Sequence, residues 1–312
     1  MAEKDIYIKN YLYPDSKNLF KCNLKTIDET KEVFVYVVDT NALLLPFTIS
    51  NKSLSEIEKI FSSLLKEEKL FIPGQVAREF VNRRPDKIKG ILSKLISKQN
   101  KTTSLFGIKT NYPLLEPLTG QSELIELEKT ISEQLKIYNK HLNDVVKQIK
   151  SWTWNDPISK IYSNLFEENT IIEFEPTEDD TKDFRKRSEH KISPGYKDGS
   201  KSDDGIGDYL IWKSILKLGK EKKCRIIFIS GEEKPDWWYR SEKERIYPRF
   251  ELIQEFEREC NQSFHILKLS ELLELFGAEV DIVEEIKQEE KPIERVFLDE
   301  SGGSTRPDQS SM

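Results

Sequence analysis

The chain has 312 residues, of which 33% are charged and 37% hydrophobic, with a formal net charge of −6. That length and balance suit one large domain, or one domain with a sizeable insertion, burying a substantial core under a solvated surface. They exclude several classes: no apolar run approaches the roughly 20 residues that span a bilayer, three cysteines form no CxxC pair, and three scattered histidines (His141, His190, His265) have no zinc-ligand or catalytic-triad spacing.

The charged start, Met1-Ala2-Glu3-Lys4-Asp5, lacks an apolar signal core. Cys22, Cys224 and Cys260 read as reduced thiols, so a cytoplasmic protein is expected. Residues 1–32 are a mixed, polar lead-in segment expected to pack over the start of the domain. The run from Val33 to Val38 is β-branched or aromatic throughout and predicts a strand buried on both faces, as in the middle of a parallel sheet. It ends in Asp39, and open α/β sheets bind ligands just beyond the carboxyl ends of their strands. Asp39-Thr40-Asn41 is also good turn and N-cap chemistry, and Asp39 taken alone reads as a cap.

Ser53 or Ser55 then caps a helix with apolar positions Leu54, Ile57, Phe61, Leu64 and Leu65. Lys69 to Ile72 is a short strand. Pro73 suits the first turn of a helix from Gln75 to Asn82, which carries Glu79. The order β-α-β-α predicts a parallel α/β sheet. Arg83 to Lys109 holds eight bases against Asp86 alone, which fits either a solvated helix face or a polyanion contact. From Leu92 to Lys150 the pattern is helical. Leu124, Leu127, Ile131, Leu135, Tyr138, Leu142, Val145 and Ile149 make a stripe expected to be core packing of a helical hairpin. Docking of a regulatory protein partner on these helices is the other use.

Trp152 to Pro157 breaks the pattern and Ile158 to Phe166 forms another helix. Residues 175–204, with Arg185-Lys186-Arg187, read as a long loop. A helix from Gly207 to about Leu218 carries Asp208. Arg225 to Ser230 is a second apolar strand, ending in Gly231-Glu232-Glu233. Pro248 to Glu259 (helix), Phe264 to Leu267 (strand) and Leu269 to Phe276 (helix) complete a domain spanning 33–276, with an insertion at about 90–175. Residues 277–312 form an acidic tail expected to be disordered; from Asp281 on, nine acids face four bases.

Asp39, Glu79, Asp208 and Glu232 therefore share the carboxyl edge of the predicted sheet, although they are far apart in sequence. Acids in first helical turns gain locally from the helix dipole, so each has a local explanation, but four at one edge need a counter-charge. A hard divalent cation such as Mg²⁺ takes oxygen ligands and activates water beside a phosphoryl group. Metal-assisted phosphodiester hydrolysis is the chemistry this set best supports.

The stretches Val38-Asp39-Thr40-Asn41-Ala42-Leu43-Leu44, Phe71 to Phe80, Pro194-Gly195-Tyr196-Lys197-Asp198, Gly207 to Trp212 and Phe228 to Trp238 together resemble the PIN-like nucleases, of the bacterial subgroup with a long helical insertion. The resemblance runs from about Val37 to Leu273. It implies a Rossmann-like parallel sheet flanked by helices and a Mg²⁺- or Mn²⁺-dependent endonuclease, with RNA favoured over DNA as substrate. Asp39, Glu79 and Asp208 match the first three acids. Asn41 matches the polar residue supporting the first acid, and Ser230 the residue preceding the fourth. Glu232 stands where Asp is more usual, one methylene longer, and Asp236 nearby is a supporting residue. Arg83, Arg84, Arg185, Lys186 and Arg187 are candidate phosphate contacts. Trp237 and Trp238 fit wall packing better than base stacking. A catalytically weak or inactive nucleic-acid-binding scaffold subunit is the alternative function, and homo-oligomerisation is open. Toxin, phage-defence effector and processing enzyme all fit the role.

Overall fold

The computed structural model describes residues 6–17, 19–21, 27, 34–103, 120–196, 205–231, 233–242 and 244–291. The N-terminal segment contributes a short helix, α1 (Ile8–Leu12). Five strands form one parallel sheet: β1 (Phe34–Val38), β2 (Leu70–Pro73), β3 (Ile171–Ile172), β4 (Arg225–Ile229) and, after an antiparallel hairpin of β5 (Trp238–Ser241) and β6 (Glu244–Pro248), β7 (Phe264–Leu267). The order across the sheet is β3-β2-β1-β4-β7. From β1 the chain steps outward to β3, then returns to the other flank of β1 with β4. The crevice of such a sheet opens at this reversal, between β1 and β4.

The helices between strands are α2 (Thr40–Leu44), α3 (Asn51–Lys66), α4 (Gly74–Thr103), α5 (Gln121–Lys150), α6 (Pro157–Leu165), α7 (Glu178–His190), α8 (Ile206–Lys222), α9 (Phe250–Cys260), α10 (Leu269–Leu275) and α11 (Val280–Glu289). Every residue of β1 and β2 is buried, as continuous apolar strands between two helix layers require. α3 turns Leu54, Ile57, Phe61 and Leu64 to the sheet, and Ser50 caps it by accepting from Ser53 N at 3.3 Å, where Ser53 or Ser55 was the expected cap. Trp237 is 2% exposed and stacks on Phe228 at 5.2 Å between centroids, with Trp212 edge-on to it. The tryptophans are therefore wall packing.

Four expectations need correction. α4 does not stop at Asn82; it runs through Pro85 to Thr103. Pro85 lacks only one donor, and the turn beside it is pinned by Arg84, which is 5% exposed. Residues 178–190 are a helix rather than loop. They carry almost no apolar stripe, since only Phe184 and Arg187 are buried. A capping box instead starts the helix: Asp180 N donates to Thr177 Oγ1 at 3.3 Å and Thr177 N to Asp180 Oδ2 at 2.9 Å. Residues 280–289, expected within a disordered acidic tail, instead form α11, which buries Ile282, Val283 and Ile286 against the domain. Lys52 pairs with Glu279 at 2.6 Å and Asp281 at 2.7 Å to fasten it. Residues 292–312 lie outside the described residues. Lastly, the α5 stripe is mostly not core: Leu142 and Ile149 are buried, but Leu124, Leu127, Ile131, Tyr138 and Val145 are exposed.

Candidate active site

Register builds the site. Val38 of β1 pairs with Ile229 of β4, so Asp39 and Ser230 emerge side by side at the crevice. Asp39 is 8% exposed and caps α2, its Oδ1 accepting from Thr40 N at 2.7 Å. Its Oδ2 accepts from Ser230 Oγ at 2.6 Å and Asn41 Nδ2 at 2.7 Å. Asn41 also donates to Ser230 Oγ at 3.3 Å and accepts from Gly231 N at 2.8 Å. Asp39 is thus both a cap and a clamped carboxylate.

Glu79 reaches the same place from α4. Its Oε2 accepts from Thr40 Oγ1 at 3.0 Å and its Oε1 from Gln75 Nε2 at 3.2 Å. Arg83, one turn on, lies 3.3 Å from Oε2. Glu79 also lies against the start of α8, where a Cβ added to Gly207 would stand 2.6 Å from Oε1. Glycine there lets the first turn of α8, whose next residue is Asp208, approach Glu79 closely. Lys234 lies 3.5 Å from Asp208 Oδ2. Asp236 is fully buried and accepts from Gly195 N at 3.0 Å, tying down a turn packed on Asp208. Glu232 lies outside the described residues.

Thr40 therefore links Asp39 to Glu79, Glu79 lies against Gly207, and Asp208, the next residue along α8, lies beside Lys234. Sequence reasoning missed Thr40, Gln75 and Lys234. Gln75 was readable from its i,i+4 spacing to Glu79, and Lys234 from the counter-charge such an edge needs.

A family model described as a PIN like domain matches residues 35–252, most of the chain. The chain belongs to the PIN-like domain family. No curated protein and no solved structure matches it. PIN-like domains are generally nucleases and usually use divalent metals, so a nucleic acid is the class of substrate.

In this PIN-like domain the donor set is all oxygen, which suits Mg²⁺ or Mn²⁺. Among the described residues, no three His, Cys, Asp or Glu side chains converge into a ready-made metal cage.

The five candidate phosphate contacts divide. Arg83 stands at the acidic edge. Arg84 is buried on the helical insertion instead, donating from Nε to Asp156 Oδ2 at 3.0 Å and Ser159 Oγ at 2.8 Å, and from Nη2 to Thr153 O at 2.8 Å. Arg187 is 4% exposed and pairs with Glu255 and, at 3.1 Å, Asp183. Both guanidinium groups are engaged inside the protein, which corrects the expectation that they meet phosphate. Lys186 lies 4.0 Å over the Tyr11 ring, and Arg185 is exposed on α7. A cavity of about 450 Å³ adjoins the site, lined by Asn41, Leu44, Arg83, Lys87 and Gly231, with Glu289 opposite. Burial holds the Lys87 pKa below the ordinary lysine value. Among the described residues no helix is long and apolar enough to cross a membrane.

Proposed function

We propose that this PIN-like domain is a divalent-metal-dependent endonuclease, most at home on RNA in the cytoplasm. The observation that carries the reading is Asp39: a buried carboxylate clamped by Asn41 and Ser230 across the β1/β4 crevice, with Glu79 held on the adjacent Thr40. Asp39, Glu79 and Asp208 would hold Mg²⁺ or Mn²⁺, with Glu232 assisting. When bound, such an ion activates water and offsets charge on the scissile phosphate. Asn41 and Ser230 hold Asp39 in one orientation, because a carboxylate with both oxygens engaged cannot rotate freely. Arg83 and Lys87 would steer the phosphate backbone into the adjoining cavity. The test is cleavage of labelled structured RNA, single-stranded RNA and single-stranded DNA in Mn²⁺, with an EDTA control. Cutting of RNA that EDTA abolishes is expected; cutting that survives excess EDTA contradicts the reading.

One observation favours a second reading, a nucleic-acid-binding scaffold without cleavage. Lys234 beside Asp208 already supplies positive charge where an ion would. Titration calorimetry with Mn²⁺ separates the two: RNA affinity without any Mn²⁺ binding selects the scaffold.

A further inference from the structure

α5 is a helix of 30 residues with two apolar seams. One faces α4 and buries Leu142, Val146 and Ile149. The other is offset by less than a quarter turn and is exposed: Leu124 50%, Leu127 58%, Ile131 45%, Tyr138 44% and Val145 44%. Leu124, Ile131, Tyr138 and Val145 recur every seven residues, the period of helices that supercoil on a partner. A helix with two adjacent seams is what each member of a four-helix bundle presents, and the α4–α5 hairpin supplies half of one.

We propose that the exposed seam of α5 is an interface with a second copy of this chain, the two α5 helices running antiparallel about a two-fold axis near Gln134. Charge selects that occupant and that direction. The first half of α5 carries Glu123, Glu126, Glu128 and Glu133 against Lys129, and the second half carries Lys136, Lys140, Lys147 and Lys150 against Asp144. The halves therefore have net charges of −3 and +3. An antiparallel pair sets each acidic half beside a basic half. A parallel pair sets like on like, at a cost. The same axis pairs Leu124 with Val145 and Ile131 with Tyr138 of the second copy, so each of these four meets an apolar side chain. The contact is isologous, as two-fold symmetry demands. Helices of this length meet along about 45 Å, enough to bury on the order of 800 Å² per copy, the size of a standard stable interface. This dimer does not depend on the nuclease reading.

The experiment is sedimentation of the full chain at tens of micromolar, with Ile131→Asp/Tyr138→Asp as the disrupting variant. Both positions are exposed, so the fold should survive, and far-UV circular dichroism checks that. Wild type is expected at twice its 36.6 kDa mass and the variant at the single mass. Mild oxidation supplies a second readout, with wild type as the control for native thiols. Gln134→Cys should give a covalent dimer, and Leu124→Cys should not, because its two copies would stand about 30 Å apart in this pairing. A monomeric wild type overturns the proposal and leaves the seam to residues 104–119 or to another protein. A dimer that the double variant leaves intact overturns it too, and cross-linking through Leu124→Cys contradicts the antiparallel arrangement.

Discussion

Asp39 shows how one residue can serve two ends. As a cap it satisfies Thr40 N, and as a site residue it is fixed by Ser230 and Asn41. If those two side chains orient the carboxylate, removing either should slow cleavage without weakening the fold. Asn41→Ala and Ser230→Ala are each expected to lose roughly 10- to 100-fold in activity, with melting temperatures close to wild type. Wild-type rates in both would separate these residues from the chemistry. The places of Asp39, Glu79 and Asp208 in their elements were legible in the sequence because each follows a strand or lies in an opening turn of a helix. The fate of the arginines was not. Arg83 and Arg84 are neighbours in the chain, yet one is half exposed at the site and the other is buried. Helical rotation by one position decides this, and a run of basic residues does not reveal which one faces inward.

Elements that bury apolar runs were readable: β1, β2, β4 and β7 all fall where the sequence predicts them. Elements held by polar contacts were not. α7 stands on a capping box and ion pairs, and α11 looks like acidic tail because only three of its residues turn inward. The β5–β6 hairpin also escaped, since its burial pattern is mostly exposed. The helical insertion depends on one polar anchor, Arg84 with Asp156. Asp156 also caps α6, accepting from Ser159 N at 3.0 Å. Removing one partner of a buried pair leaves the other charge stranded. Arg84→Met is therefore expected to destabilise the protein by about 3 kcal/mol, measured by urea unfolding, while Arg83→Met should shift stability by less than about 0.5 kcal/mol. Equal effects from the two would contradict their assigned environments.

At the scale of the whole molecule, burial and hydrogen bonding set the response to acid. Burial opposes ionisation of Asp156, Asp180 and Asp183. Hydrogen bonds from Ser159 and Arg84 (Asp156), from Thr177 and Lys213 (Asp180), and the charge of Arg187 together with Tyr11 (Asp183) outweigh it and hold all three pKa values low, Asp180 at about 2. Groups depressed on folding stabilise fully above their unfolded value of 3.8 and lose that contribution as pH falls through the folded value. Burial likewise holds His265 neutral below its usual range, which acts in the same sense from a higher pH. The melting temperature is expected to decline as pH drops below about 6 and steeply below about 4; a flat profile down to pH 3 would contradict these environments.

The central claim is that the carboxylates at the β1/β4 crevice carry metal-dependent cleavage. Its most direct measurement is the single-turnover rate of RNA cleavage in Mn²⁺ by wild type and by Asp39→Asn, at matched concentrations of folded protein. The substitution keeps size and the Ser230 contact but removes the charge. The account predicts a loss of at least about 100-fold; an undiminished rate would contradict it.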